Sequence, residues 1–137
     1  MGLFTKSGAQ RRKHERVTVF IPVKIFKNGK EAGKGEVEDL SMGGVYIRTT
    51  VPATLGDKVE VEFQFAGMKS VLGTVVEINE IDSKAPVRVM QAGRVKWDRN
   101  GTGFGIEFGT MSADMQRVIK KMVKYMAQIQ KNFAALG

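Results

Sequence analysis

The chain has 137 residues, with 22 Lys or Arg against 14 Asp or Glu, a formal net charge of +8, one histidine and no cysteine. That length supports one domain with a single core, and the missing cysteines exclude disulfide scaffolds, thiolate metal sites and thiol nucleophiles. The charge is uneven: residues 1–30 carry +7, the segment from 111 onward +4 and the middle −3, which puts positive potential at both ends and points to an anionic partner.

Residues 1–10 (MGLFTKSGAQ) have only Leu3 and Phe4 as large apolar side chains and read as a mobile arm. They lack the apolar centre of a signal peptide, and no apolar run approaches the roughly 18 residues of a membrane span, so a cytoplasmic protein is expected. The basic run Arg11-Arg12-Lys13-His14-Glu15-Arg16 follows. VTVFIPVKIF (17–26) is dense in β-branched and aromatic residues and predicts a strand. Pro22 has no amide hydrogen, so that strand should lie at an edge or carry a bulge. Asn28-Gly29 predicts a tight hairpin turn.

A second strand is predicted over 36–40, a turn over Ser41 to Gly44, and a third strand over VYIRT (45–49). VEVEFQF (59–65) alternates strictly, placing Val59, Val61, Phe63 and Phe65 on one face. Ala66-Gly67 reads as a turn into SVLGTVVEI (70–78), taken as another strand, and Val87 to Trp97 and FGIEF (104–108) complete the set. Short strands with glycine turns and no intervening helix predict a mainly β fold, a six- or seven-stranded antiparallel β-barrel, whose closure removes exposed edges.

The pattern then changes period. Met115, Ile119, Met122, Met126, Ile129, Phe133 and Leu136 step alternately by four and three residues, which predicts one long C-terminal amphipathic helix with Ser112 as N-cap and Asp114 in its first turn. From Ser112 to Leu136 it should run about 37 Å, against about 32 Å for the width of the remaining body, so its far end is expected to overhang. The chain thus divides into an arm (1–10), a barrel domain (11–110) and a helix (111–137).

Two stretches carry chemistry. Arg12-x-x-x-Arg16 presents two planar guanidiniums, whose forks match phosphate oxygens and the O6/N7 edge of guanine. Asp39-x-Ser41-x-x-Gly44 offers a carboxylate able to accept from guanine N1 and N2, a hydroxyl, and glycine that admits close approach. The competing reading is a solvated basic tail and a turn in which Asp and Ser bond their own backbone. Gly101, Gly103 and Gly105 form a GxGxG string, but a strand rather than a helix follows, so hairpin and corner glycines explain it better than dinucleotide binding. Trp97 reads as core or rim packing and His14 as a solvated side chain.

Together the two stretches resemble the PilZ domain, the bacterial receptor module for cyclic diguanylate. The likeness extends to Val95-Lys96-Trp97, to Gly105-Ile106-Glu107-Phe108 and to the helix, covering roughly residues 11–125. It implies a non-enzymatic receptor whose ligand is cyclic diguanylate, with Arg12 and Arg16 gripping phosphate and the guanine Hoogsteen edge. Asp39, Ser41 and the Gly43-Gly44 doublet form the opposing wall, and Arg11 stands beside the motif as an extra arginine, with a bound monomer and a self-stacked ligand dimer both left open. The signal would pass to a protein effector by rearrangement of the arm.

Two other classes compete. A basic β-barrel binding single-stranded nucleic acid would account for the charge, but it needs aromatic platforms, and Phe63 with Phe65 looks inward. A helix-mediated oligomerising scaffold would use the heptad stripe. No metal cluster, nucleophile with base or paired carboxylates can be assembled, so no catalytic residue, metal or cofactor is expected.

Overall fold

Alternating apolar and polar side chains organise the chain into six strands: β1 (Val17–Lys27), β2 (Lys30–Leu40), β3 (Gly44–Arg48), β4 (Lys58–Gln64), β5 (Arg88–Asp98) and β6 (Gly103–Phe108). The computed structural model describes residues 15–136, excepting the side chains of Phe133, Ala135 and Leu136. The expected arm at 1–10, and Arg11, Arg12 and His14 of the basic run, lie outside the described residues, as do the side chains of Phe133 and Leu136 from the helical stripe.

The strands close into an antiparallel barrel in the order β1-β2-β3-β6-β5-β4. In β1, every second residue from Val17 to Ile25 is buried. Val59, Val61 and Phe63 of β4 are also buried, and Phe65 continues inward from a short 3-10 turn at Phe65–Gly67. The β1–β2 hairpin turns at Asn28 and Gly29, both left-handed (φ 53° and 77°), as a two-residue loop requires. Pro22 sits beyond the end of the β1–β4 ladder, which runs from Val23 to Phe26. Its ring abuts Gly67, so the missing amide hydrogen costs no ladder bond.

The expected strand over 70–78 does not form. The barrel closes when β4 pairs with β1, Val23 opposite Phe63 and Ile25 opposite Val61, which leaves a seventh strand no edge to join. The segment instead makes isolated bridges at Lys69, to Phe20 and to Val75, and then a single helical turn, α1 (Ile78–Ile81). Met68, Val76 and Ile78 enter the core from it. The second strand also starts earlier than its apolar residues suggest, at Lys30, because the tight turn sets its register from Lys27 opposite Lys30.

The C-terminal helix, α2 (Ala113–Leu136), lays its apolar stripe on the barrel. Met115, Val118, Ile119, Met122 and Met126 are buried and Ile129 is partly buried against the core. Ser112 caps it, its Oγ accepting the Met115 amide at 3.0 Å. Near the other end the Gln130 side-chain amide donates to the Thr18 carbonyl at 2.9 Å. Docking therefore extends to Gln130, and the expected overhang is confined to the residues after it. Among the described residues, no helix is long and apolar enough to cross a membrane.

One buried acid anchors the loop to this helix. Asp82, with a side chain only 5% exposed, accepts from Arg117 Nε at 2.6 Å, with Lys121 Nζ at 3.7 Å. Its other oxygen accepts the Lys84 amide at 3.0 Å. The Arg117 hydrogen bond, followed by that from the Lys84 backbone, holds its carboxyl below the ordinary value. A carboxylate with a depressed folded pKa stabilises above its unfolded value, about 3.9, and loses that contribution as pH falls through the folded pKa. Asp82→Asn is therefore expected to lower the melting temperature at pH 7, with the difference from the parent shrinking below about pH 4; thermal unfolding of both proteins across pH 3–7 measures it.

Candidate functional site

An open cleft of about 390 Å³ lies against the strand-end turn 41–44 and the outer faces of β2, β3, β6 and β5. Its floor follows one cross-strand row: Asp39 on β2 pairs with Tyr46 on β3, Tyr46 with Gly105 on β6, and Gly105 with Trp97 on β5. Arg16 borders the cleft just before β1, where Val17 is opposite Leu40.

Two register shifts aim this row. On β2, Val37 faces Ile47 while Asp39 faces Tyr46, so two residues of β2 advance against one of β3. Simple alternation would send Asp39 inward with Val37; the bulge turns it out and leaves Leu40 buried. On β5, Val95 faces Ile106 and Trp97 faces Gly105. The extra residue there turns Trp97 outward, where it is 52% exposed.

The turn itself is built from the predicted residues. Ser41 donates its amide to the Gly44 carbonyl at 3.0 Å, and its hydroxyl accepts the Gly43 amide at 3.2 Å. Ser41 therefore stabilises its own turn. The Gly43 carbonyl accepts the Phe108 amide at 2.9 Å, tying the turn to β6. Gly44 admits no side chain, because a Cβ there would fall inside contact distance of the Ile106 carbonyl oxygen.

Arg16, Asp39, Ser41, Gly43 and Gly44 thus share one cleft, while Arg11 and Arg12 lie outside the described residues. Sequence reasoning missed Tyr46, Trp97, Arg99 and Glu107, which border the same space. Trp97 takes the rim alternative rather than the core, since the bulge leaves it half exposed with its indole packed over Gly105. Tyr46 and Glu107 were within reach of the alternation rule, because Val45, Ile47 and Ile106 are buried and their neighbours must face out. Arg99 carried no comparable signal, being a turn residue.

The electrostatics are mixed. The Arg99 guanidinium lies 4.3 Å from the centre of the Tyr46 ring, a cation–π arrangement. Burial raises the Tyr46 pKa, with Arg99 opposing the shift, so the phenol is neutral at pH 7. Its buried hydroxyl has no hydrogen-bond partner among the described residues. On the far wall Glu107 lies 3.7 Å from Lys96. No cluster of three or more metal-ligating side chains occurs among the described residues.

The PilZ domain model matches residues 10–125. The chain belongs to the PilZ domain family. Solved structures share the PilZ fold at low identity. The PilZ domain of CeSA from a cellulose-synthesizing bacterium is 20% identical with a TM-score of 0.52, over 82% of this chain and 98% of that one. The PilZ domain of YcgR from Escherichia coli, solved with c-di-GMP, is 14% identical with a TM-score of 0.55, over 92% and 98%. The MrkH–c-di-GMP complex from K. pneumonia is 17% identical with a TM-score of 0.58, over 90% of this chain and 55% of that one. No curated protein matches the chain.

A side chain at position 44 has nowhere to go, since β3 and β6 are in register there, Gly44 opposite Glu107. Gly44→Ala is expected to destabilise the fold by about 1–3 kcal/mol through overpacking, measured by urea denaturation.

Proposed function

We propose that this PilZ domain is a non-enzymatic receptor that binds cyclic diguanylate between the basic run and the 39–44 turn. The observation that carries the reading is the convergence of Arg16 with Asp39, Ser41, Gly43 and Gly44 on one open cleft, in a family whose relatives include proteins solved with c-di-GMP. Arginine forks suit phosphate oxygens and the guanine Hoogsteen edge, and the Asp39 carboxylate suits the N1 and N2 donors of guanine. Ser41 exchanges part of its turn bonding for ligand. Arg11 and Arg12 extend the grip along the basic run, and Arg99 adds a cation over the floor.

Binding draws the basic run onto the barrel. Charge-assisted hydrogen bonds contribute about 1.5–3 kcal/mol each while ordering a residue costs about 1–2 kcal/mol, so a handful of bonds orders a few residues. The rearranged run then presents a new surface to a protein effector in the cytoplasm. The division into arm (1–10), barrel (11–110) and helix (111–137) follows these roles. Nucleic-acid binding is the weaker reading, because a carboxylate at 39 and another at 107 oppose a polyanion lying in the cleft. Helix-mediated assembly is weaker as well, since the stripe is buried against the barrel through Met126.

Calorimetry tests the proposal. Saturable micromolar binding of cyclic diguanylate is expected, weakened by about one to two orders of magnitude in Arg16→Ala and in Asp39→Ala through loss of one or two charge-assisted bonds. Absence of saturable binding, or affinity unchanged in both variants, overturns it.

A further inference from the structure

A second groove, of about 430 Å³, lies over β1, β4 and β5 and shares no lining residue with the cleft. Two adjacent cross-strand rows build it. In the first, Phe26 on β1 is opposite Glu60 on β4, and Glu60 is opposite Ala92 on β5. In the second, Lys58 on β4 is opposite Arg94 on β5. Ile25, Val59, Val61 and Val95 are buried, so alternation turns the residues of both rows to the outer face. Gly109 borders the first row and donates its amide to the Ala92 carbonyl at 3.0 Å. It brings no side chain over Phe26 and Ala92, whose apolar surface stays open.

The charges of the second row are arranged against the fold's own interest. Like charges directly opposite one another across a ladder are destabilising, and Lys58 and Arg94 are so placed. Among the described residues, neither has an acid within ion-pair distance. Glu107 is opposite Arg94 on β6, but its carboxylate lies 3.7 Å from Lys96, and the Arg94 guanidinium donates instead to the Gly56 carbonyl at 3.2 Å. Glu60 is the one acid bordering the groove, against Lys58 and Arg94, so the net charge there is positive. An anionic group set between Lys58 and Arg94 relieves their repulsion, and an apolar group over Phe26 and Ala92 removes their surface from water.

We infer that this groove docks an extended peptide segment of a partner protein, one that carries an apolar side chain and, two residues away, an acidic one. The spacing selects a peptide. The two rows are two residues apart along β4, about 7 Å, which is also the distance between alternate side chains of an extended chain. A segment laid along β4 therefore places its apolar side chain over Phe26 and Ala92 and its carboxylate between Lys58 and Arg94. Glu60 fixes the direction, because it repels an acid from the first row and leaves the second as the place for the carboxylate. β4 and β5 are both paired on each side within the closed barrel, so recognition is by side chains and not by strand addition. The inference goes beyond the receptor reading above and does not depend on it.

The test is fluorescence anisotropy of the full chain with a fluorescein-labelled, end-blocked peptide Thr-Thr-Phe-Thr-Glu-Thr-Thr, and with the same peptide carrying Gln in place of Glu. The parent is expected to bind the first peptide saturably. The Gln peptide, and separately Arg94→Ala, are each expected to weaken binding by about tenfold, one charge-assisted bond's worth. Lys58→Glu is expected to abolish binding while raising the melting temperature, because it turns a repelling cross-strand pair into an attracting one. Those opposite signs separate recognition from damage to the fold. Lys124→Glu, exposed on α2, carries the same charge change outside the groove and is expected to leave binding unchanged. Absence of saturable binding, equal affinity for the two peptides, unchanged affinity in Lys58→Glu, or a loss in Lys124→Glu as large as in Lys58→Glu overturns the docking site, and each leaves the receptor reading intact.

Discussion

The pairing of β4 with β1 is the constraint on which the rest of this structure depends. It closes the sheet after six strands and removes both edges. It also divides the surface into an interior that side chains must fill, two ends, and an outer face. The loop after β4 and the helix α2 bring Met68, Val76, Ile78, Met115, Val118 and Met122 to the same core as the strands. A binding site made by strand residues must then lie outside. Side chains reach the outside by alternation, as Tyr46 and Glu107 do, or by a bulge, as Asp39 and Trp97 do.

The cleft's composition follows from that placement. An outer barrel face is polar and solvated, so Arg16, Arg99, Asp39 and Glu107 bordering one space carry no large desolvation cost. Two guanidiniums with two carboxylates make a poor site for a plain anion and a good one for a molecule with both phosphates and donor-bearing base edges.

Helix and cleft are joined through the start of β1. Gln130 binds the Thr18 carbonyl, two residues from Arg16, and Arg117 holds Asp82 in the loop that bridges back to Phe20 through Lys69. The strand start that carries the arginine is therefore also the strand start on which α2 rests. Two residues along β1 separate the arginine that borders the cleft from the carbonyl to which the helix bonds.

Much of this was legible in the chain itself. The period-2 run at 59–65, the Asn28-Gly29 turn, the Ser112 cap and the heptad stripe are local patterns, each enforced by neighbours a few residues away, and they determined the strands, the hairpin and the helix. The spacing of Arg12 and Arg16 and of Asp39, Ser41 and Gly44 carried the family, and Arg16, Asp39, Ser41 and Gly44 border one cleft. What only the tertiary structure decided were features depending on partners distant in sequence. Closure by β4 on β1 left the 70–78 segment without an edge, although its composition is strand-like. The bulges at Glu38-Asp39 and Lys96-Trp97 reversed the face that alternation assigns to Asp39 and Trp97, because a bulge is set by the register of two strands together and leaves no mark in either one alone.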